Sequence, residues 1–210
     1  MPADCGAGCA GAAGTARASG GWAGTVLADP DTVVLDTETA GVDGTSRIID
    51  LGILDVAGTI LMDQLLNPGE PVPASATDVH GLTDDDVRAA PTFSDVFGDL
   101  STVLAGKRVL IYNRAFDVAR LRHELHLHFK GTGHPDPADA ATAWLAAIRF
   151  EDAMIPYSDW YGEWSDYRAN YVWQPLPGGG HRAIPDCRAV VDLLQEMANG
   201  RGLEVCEEGS

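Results

Sequence analysis

The run Thr32-Val-Val-Leu-Asp36 is short, β-branched and apolar, and it ends in two carboxylates, Asp36 and Glu38. A run of this kind reads as a strand buried on both faces, which requires a sheet covered by helices. Period-two geometry puts Asp36 and Glu38 on one side of the strand end, aimed at one spot. Carboxylates about 4 Å apart repel by about 4 kcal/mol at an effective dielectric near 20. A chain that gathers them therefore needs a cation to neutralise them.

The segments that follow build an α/β domain. A polar bend at Gly41–Thr45 leads to two strands, Arg47–Val56 and Thr59–Leu66, joined as a hairpin through Ala57-Gly58. Pro68, Pro71 and Pro73 end the hairpin and lead into a loop. Thr83 before Asp84-Asp-Asp86 reads as a helix cap with acids at the favoured end of the helix dipole. Val96, Phe97, Leu100, Val103 and Leu104 recur at helical spacing before Gly106. A buried strand over Arg108–Tyr112 and a helix over Ala115–His128 come next. A helix over Ala138–Ile148 and a strand over Phe150–Ile155 follow, then an irregular, aromatic-rich stretch over Pro156–Gly180. The last helix runs from Ile184 to Asn199, with Pro185 in its first turn and Gly200 at its end. The fold class predicted is a single α/β domain over residues 26–200, with a mixed central sheet flanked by helices.

Composition limits the partners. The 210 residues are 45% hydrophobic, enough for one real core, and no apolar run has the length of a membrane span. Residues 1–25 are Gly/Ala-rich, lack the pattern of a secretory signal and offer little to bury; they read as a flexible tail, as do residues 201–210. Cys5, Cys9, Cys187 and Cys206 make no disulfide framework, and Cys5-x3-Cys9 lacks a second zinc-ligand pair. Free thiols and a cytoplasmic location are the expectation. Net charge is -17, and Lys107 and Lys130 are the only lysines. That balance argues against a long duplex-binding track, and for short or single-stranded ends, a small nucleotide, or a basic partner.

Two further acids sit at structural junctions. Asp117 follows Asn113 by four residues, just inside a helix that follows a strand; Asp186 follows His181 by five, in the first turn of the last helix. Singly, each reads more readily as a turn or cap residue than as a functional one. Together, four acids from strand ends and helix starts converge where α/β folds form ligand crevices. Hard oxygen ligands suit two divalent ions, Mg²⁺ or Mn²⁺, which clamp the attacking and leaving oxygens of a phosphoryl displacement. A histidine beside them suits a general base for the attacking water.

Val34-Leu-Asp-Thr-Glu-Thr39 with Ala40-Gly41, Arg47-Ile-Ile-Asp-Leu-Gly52, Val79-His-Gly-Leu-Thr83, Tyr112-Asn-Arg-Ala-Phe-Asp117 and His181-Arg-Ala-Ile-Pro-Asp186 occur in this order. The set resembles the DnaQ-like DEDDh 3′–5′ exonucleases, a family that includes the polymerase III epsilon subunit, RNase T and oligoribonuclease. The likeness covers about residues 30–198. It implies an RNase H-like fold, with Asp36, Glu38 and Asp186 holding one metal and Asp36 bridging to a second. Asp117 would support that second metal through water, and His181 would be the base. Thr37, Thr39, Gly41, His80, Asn113 and Phe116 would receive the terminal nucleotide, although Phe116 equally fits as a core residue.

Some features depart from the pattern. Ala40 stands where many relatives carry a hydroxyl that would touch substrate. Trp160, Tyr161, Trp164, Tyr167, Tyr171 and Trp173 either stack on bases or pack their segment onto the sheet. His123, His126, His128 and His134 are crowded but lack an acid or cysteine partner, so a solvated helix end is expected there rather than a metal site. The activity implied is release of nucleoside 5′-monophosphates from single-stranded DNA or RNA 3′ ends or short oligonucleotides. The alternatives are hydrolysis of a small nucleotide or dinucleotide and, from another class, a non-catalytic polymerase-associated module. A polymerase or a second copy of the chain is the protein partner to consider.

Overall fold

The computed structural model describes residues 6–200, with side chains from Gly14 onward. Cys5 and Cys206 lie outside the described residues, and Cys9 outside the described side chains. The central sheet has five strands: β1 (Thr32–Thr39), β2 (Ile48–Asp55), β3 (Ile60–Leu65), β4 (Arg108–Ile111) and β5 (Arg149–Asp152). Their order is β3-β2-β1-β4-β5. β1 pairs antiparallel with β2 and parallel with β4, so the sheet is mixed as expected.

The helices are α1 (Gly6–Ala28), α2 (Ala74–His80), α3 (Asp84–Val87), α4 (Phe93–Leu104), α5 (Arg114–Gly131), α6 (Pro137–Ala146), α7 (Met154–Tyr161) and α8 (Ala183–Ala198). Strand alternation sorts the core into two layers. Val33, Leu35, Ile53, Val109 and Ile111 pack with residues of α4, α5 and α6. Val34, Leu54 and Leu110 face the other way, against residues of α1, α7 and α8. Asp36 and Glu38 continue the side of Val34, the side on which α8 lies.

Several expectations need correction. The segment read as a flexible tail is helix α1 through most of its length. Its small residues, which offer little surface to bury, allow close approach instead: a Cβ at Gly20 would lie 2.9 Å from the Met197 carbonyl oxygen of α8. Ala23 and Val26 are fully buried in that seam. The loop expected after Pro73 contains α2, with Ala76 and His80 turned inward. The strand expected over Phe150–Ile155 stops at Asp152 and gives way to α7. The irregular aromatic segment resolves into α7 and a two-stranded hairpin, β6 (Trp164–Ser165) and β7 (Asn170–Tyr171).

Those aromatics differ in burial. Trp160 is buried against Tyr157 in the α1/α7/α8 layer, whereas Tyr161, Trp164, Tyr167 and Trp173 are exposed. Ala40 is also corrected: its methyl is buried with Ile49, Val72, Ala76 and Leu82, so a hydroxyl there would face a small core. His128 is no simple solvated end, because its ring lies 4.1 Å from that of Phe97 in an aromatic cluster. Cys187 is a free, buried thiol.

Candidate active site

The parallel pairing of β1 and β4 ends at Val34↔Leu110, five residues before β1 itself ends. Beyond it β4 turns into α5 through Asn113, and the overhanging end of β1 forms one wall of a crevice. This is the strand-end position at which open α/β sheets bind ligands. The alternation of the overhang is visible in its exposure: Thr37 and Thr39 are buried, while Asp36 and Glu38 are partly open.

The cavity there has a volume of about 550 Å³. All of the predicted site residues line it: Asp36, Glu38, Asp117, His181 and Asp186, together with Thr37, Thr39, Gly41, His80, Asn113 and Phe116. The remaining wall comes from Val42, Ser75, Ala76, Val79, Tyr112 and Leu176. Three of those belong to α2. Its sequence signal is the helical spacing of Val72, Ala76 and His80, placed directly after Pro68, Pro71 and Pro73. Of the Pro156–Gly180 segment only Leu176 reaches the cavity, so the exposed aromatics do not cover it.

Each acid is held by a different element. Asp117 is buried, and its Oδ1 accepts from the Thr37 backbone N–H (3.1 Å) and hydroxyl (2.7 Å), tying α5 to β1. The Thr37 hydroxyl is therefore spent on orienting an acid. The Thr39 hydroxyl donates to the Gly41 carbonyl at 2.6 Å. Asp186 accepts from the Gly180 N–H at 2.7 Å, which brings the glycine loop and His181 to the start of α8. Asp50, buried on β2, accepts from Arg182 Nε (2.8 Å) and from the Ala183 N–H (3.3 Å). Those bonds dock the same helix start against the sheet.

Gly52 makes that docking possible, because a Cβ there would lie 2.8 Å from the Ala183 carbonyl carbon. Two non-glycine residues of the site, Asn113 (φ 59°) and His181 (φ 55°), adopt the left-handed conformation. Backbone strain of this kind is concentrated at functional sites.

Electrostatically the acids are only partly compensated, by Arg182 near Glu38 and Arg120 near Asp117. Burial, followed by the charges of Asp117, Glu38 and Asp186, raises the Asp36 carboxyl well above the usual range. Burial, Asp186 and Asp50 push Glu38 up to about 8. Burial also raises Asp117, against the pull of its bonds from Thr37. Ligand atoms of Glu38, His181 and Asp186 lie within 4.8 Å of one another, a group able to hold a metal ion. Among the described residues His123, His126, His128 and His134 form no such group.

Residues 33–194 match the RNase T family model, described as an exonuclease. The chain belongs to this exonuclease family. The DnaQ-like resemblance extends to curated relatives. An uncharacterized exonuclease, CP81 of Escherichia phage 186, is 28% identical over 82% of this chain and 90% of its own length. The DNA polymerase III subunit epsilon of Rickettsia typhi is 31% identical over 45% of this chain, a match spanning only 44% of that relative.

Among solved structures, Exonuclease X in complex with 5′-overhanging duplex DNA covers 81% of this chain and 93% of its own (TM-score 0.51, 24% identity). The zinc-bound complex of E. coli exonuclease I with single-stranded DNA covers 82% of this chain and 41% of its own (TM-score 0.59, 16% identity). At these identities the neighbours establish the fold, which is RNase H-like. Among the described residues no helix is long and apolar enough to cross a membrane.

Proposed function

We propose that this exonuclease-family chain hydrolyses nucleic acid from the 3′ end, with two divalent ions, and releases nucleoside 5′-monophosphates. One observation carries the reading: Asp36, Glu38, Asp117, Asp186 and His181 converge on one cavity, where burial raises the pKa values of Asp36, Glu38 and Asp117. Carboxylates in that state fit hard divalent cations such as Mg²⁺ or Mn²⁺. Asp36, Glu38, Asp117 and Asp186 would hold the ions. When bound, the ions would neutralise the acids, polarise the scissile phosphate and activate the attacking water.

The protein's own groups do the rest. His181, exposed at the mouth of the cavity, takes the proton of the attacking water. The Gly180 N–H holds the His181 loop to Asp186, and Arg182 ties the start of α8 to Asp50 of β2. Phe116 and Val42 offer apolar surface to the terminal nucleoside, and the wall of α2 limits its depth.

A 5′-labelled single-stranded oligomer incubated with Mg²⁺ or Mn²⁺ should shorten stepwise and release 5′-monophosphates. Absence of a ladder at every metal and enzyme concentration would refute the reading. The acidic surface also favours a narrower substrate, a dinucleotide or other small nucleotide. A dinucleotide turned over much faster than a 20-mer would select it, and equal rates would reject it. A non-catalytic module is disfavoured by the complete set of five polar residues in one cavity. Association with a polymerase rests on the names of the epsilon relatives and would be checked by co-purification.

A further inference from the structure

The mechanism uses one end of α5 and leaves the outer face of that helix unassigned. Four cations without a carboxylate within 4 Å lie on α5: Arg114, Arg120, Arg122 and Lys130. The others among the described residues are scattered: Arg17 on α1, Arg168 at the β6–β7 hairpin and Arg188 on α8. In a chain of net charge -17 this concentration on one helix stands out.

Arg120 is buried beneath the cavity, with its guanidinium 3.5 Å from the centre of the Phe116 ring. Arg114 and Arg122 are exposed. Arg114 donates to the Phe150 carbonyl at 3.3 Å, and Arg122 to the Thr142 hydroxyl at 3.0 Å. Both bonds are to neutral acceptors, so each charge remains available. The nearby Asp152 carboxylate accepts from the Arg114 and Met154 backbone N–H groups.

Two grooves open along this face, between α5 and α6. One, of about 390 Å³, is lined by Arg114 and Arg122 over an apolar floor that includes Val118, Leu145 and Ile148. The other, of about 270 Å³, takes Arg122 again, with His123 and His126, and ends at Gly44. Arg122 borders both grooves. Arg114 follows directly on Asn113, which lines the catalytic cavity, and Gly44 lies in the same loop as Gly41 and Val42. Arg114 and Arg122 are about 12 Å apart along the helix axis, the reach of a short run of nucleotides.

We propose that the α5–α6 seam binds the phosphate backbone of a single strand upstream of its 3′ terminus, with Arg114 and Arg122 as the phosphate contacts. This rests on the 3′-exonuclease reading and adds to it a subsite beyond the reacting nucleotide. Guanidinium groups without acidic partners suit phosphate, and the apolar floor suits the sugar and base faces of a flexible strand. A duplex would need a broader basic face than this seam supplies.

The test compares wild type with Arg122→Glu, Arg122→Gln and Arg114→Ala/Arg122→Gln on a dinucleotide and a 12-mer. Binding of a phosphorothioate 12-mer is followed in parallel by fluorescence anisotropy. Arg122→Glu should raise KM for the 12-mer roughly tenfold and leave dinucleotide turnover unchanged, because only the longer substrate reaches the seam. Losing two phosphate contacts in the double variant should flatten the dependence of log Kd on log salt by about 1.4.

Arg122→Gln keeps an amide donor for Thr142, so it separates charge from packing, and thermal melting confirms folding of each variant. Equal KM changes on both substrates, or 12-mer binding unchanged in affinity and salt slope, would overturn the seam. A wild type that binds the 12-mer through the seam yet cuts neither substrate would instead overturn the exonuclease reading and leave the subsite standing.

Discussion

At the scale of single residues, the acids of the cavity set a conflict between stability and activity. Asp36 is held beside Asp117, Glu38 and Asp186, and burial raises its pKa. Asp36→Asn should therefore abolish turnover, by at least about 10³-fold in kcat, through loss of a shared ligand. The same change should raise the melting temperature of the metal-free protein, because it removes a buried like-charge repulsion. A variant that melts below wild type without metal would contradict the repulsion.

The pH dependence follows from Glu38, raised from 4.5 to about 8. Between those values the folded protein holds a proton that the unfolded chain has released. Its contribution to stability is therefore fully present below about pH 4.5 and lost as pH rises through about 8. Melting of the metal-free protein should accordingly fall across pH 5–8. Mn²⁺ should restore more stability at pH 8 than at pH 5.5, since binding at the lower pH must first displace protons. A metal-induced shift that is the same at both pH values would count against coordination by these acids.

At the scale of elements, the site depends on how α8 meets β2. Gly52 leaves room for the Ala183 backbone, and Arg182 pairs with the buried Asp50. Gly52→Ala should cost about 1–3 kcal/mol in denaturant unfolding, because the contact at 2.8 Å is with backbone and cannot relax by a side-chain rotation. It should also lower kcat by pushing Asp186 and His181 away from β1; unchanged stability and kcat together would show that the helix start is free to move.

This junction was half legible in the sequence. The residues on either side could be picked out from their motifs, but their contact joins positions 131 apart, and local patterns carry no information about it. The catalytic acids were readable because strand and helix periodicity alone orients them. Helix α2 was not, since three prolines mask a seven-residue helix whose amphipathic face is filled by distant residues, Ile49 and Val87 among them.

At the scale of the whole molecule, α1 closes one face of the domain. It covers α7 and α8, and its Ala23 and Val26 have no exposed surface. Deleting residues 1–28 should uncover the apolar side of α8 and lower the melting temperature by at least about 5 °C. It should also reduce activity at temperatures where α8 loosens, since α8 carries Asp186. A truncated chain with wild-type melting would mean that α1 merely rests on the core.

The α/β class, the strand that presents Asp36 and Glu38, and the family are all legible in the chain without coordinates. All three depend on short-range spacing and on residue chemistry. Folding in three dimensions was needed to show that Gly/Ala-rich residues near the N-terminus form a covering helix, that Ala40 faces a core, and that Thr37 serves Asp117. It also placed Arg114 and Arg122 of α5 on one seam. Each of these depends on which distant surfaces come within a few ångströms, and small or polar side chains do not announce that in a local pattern.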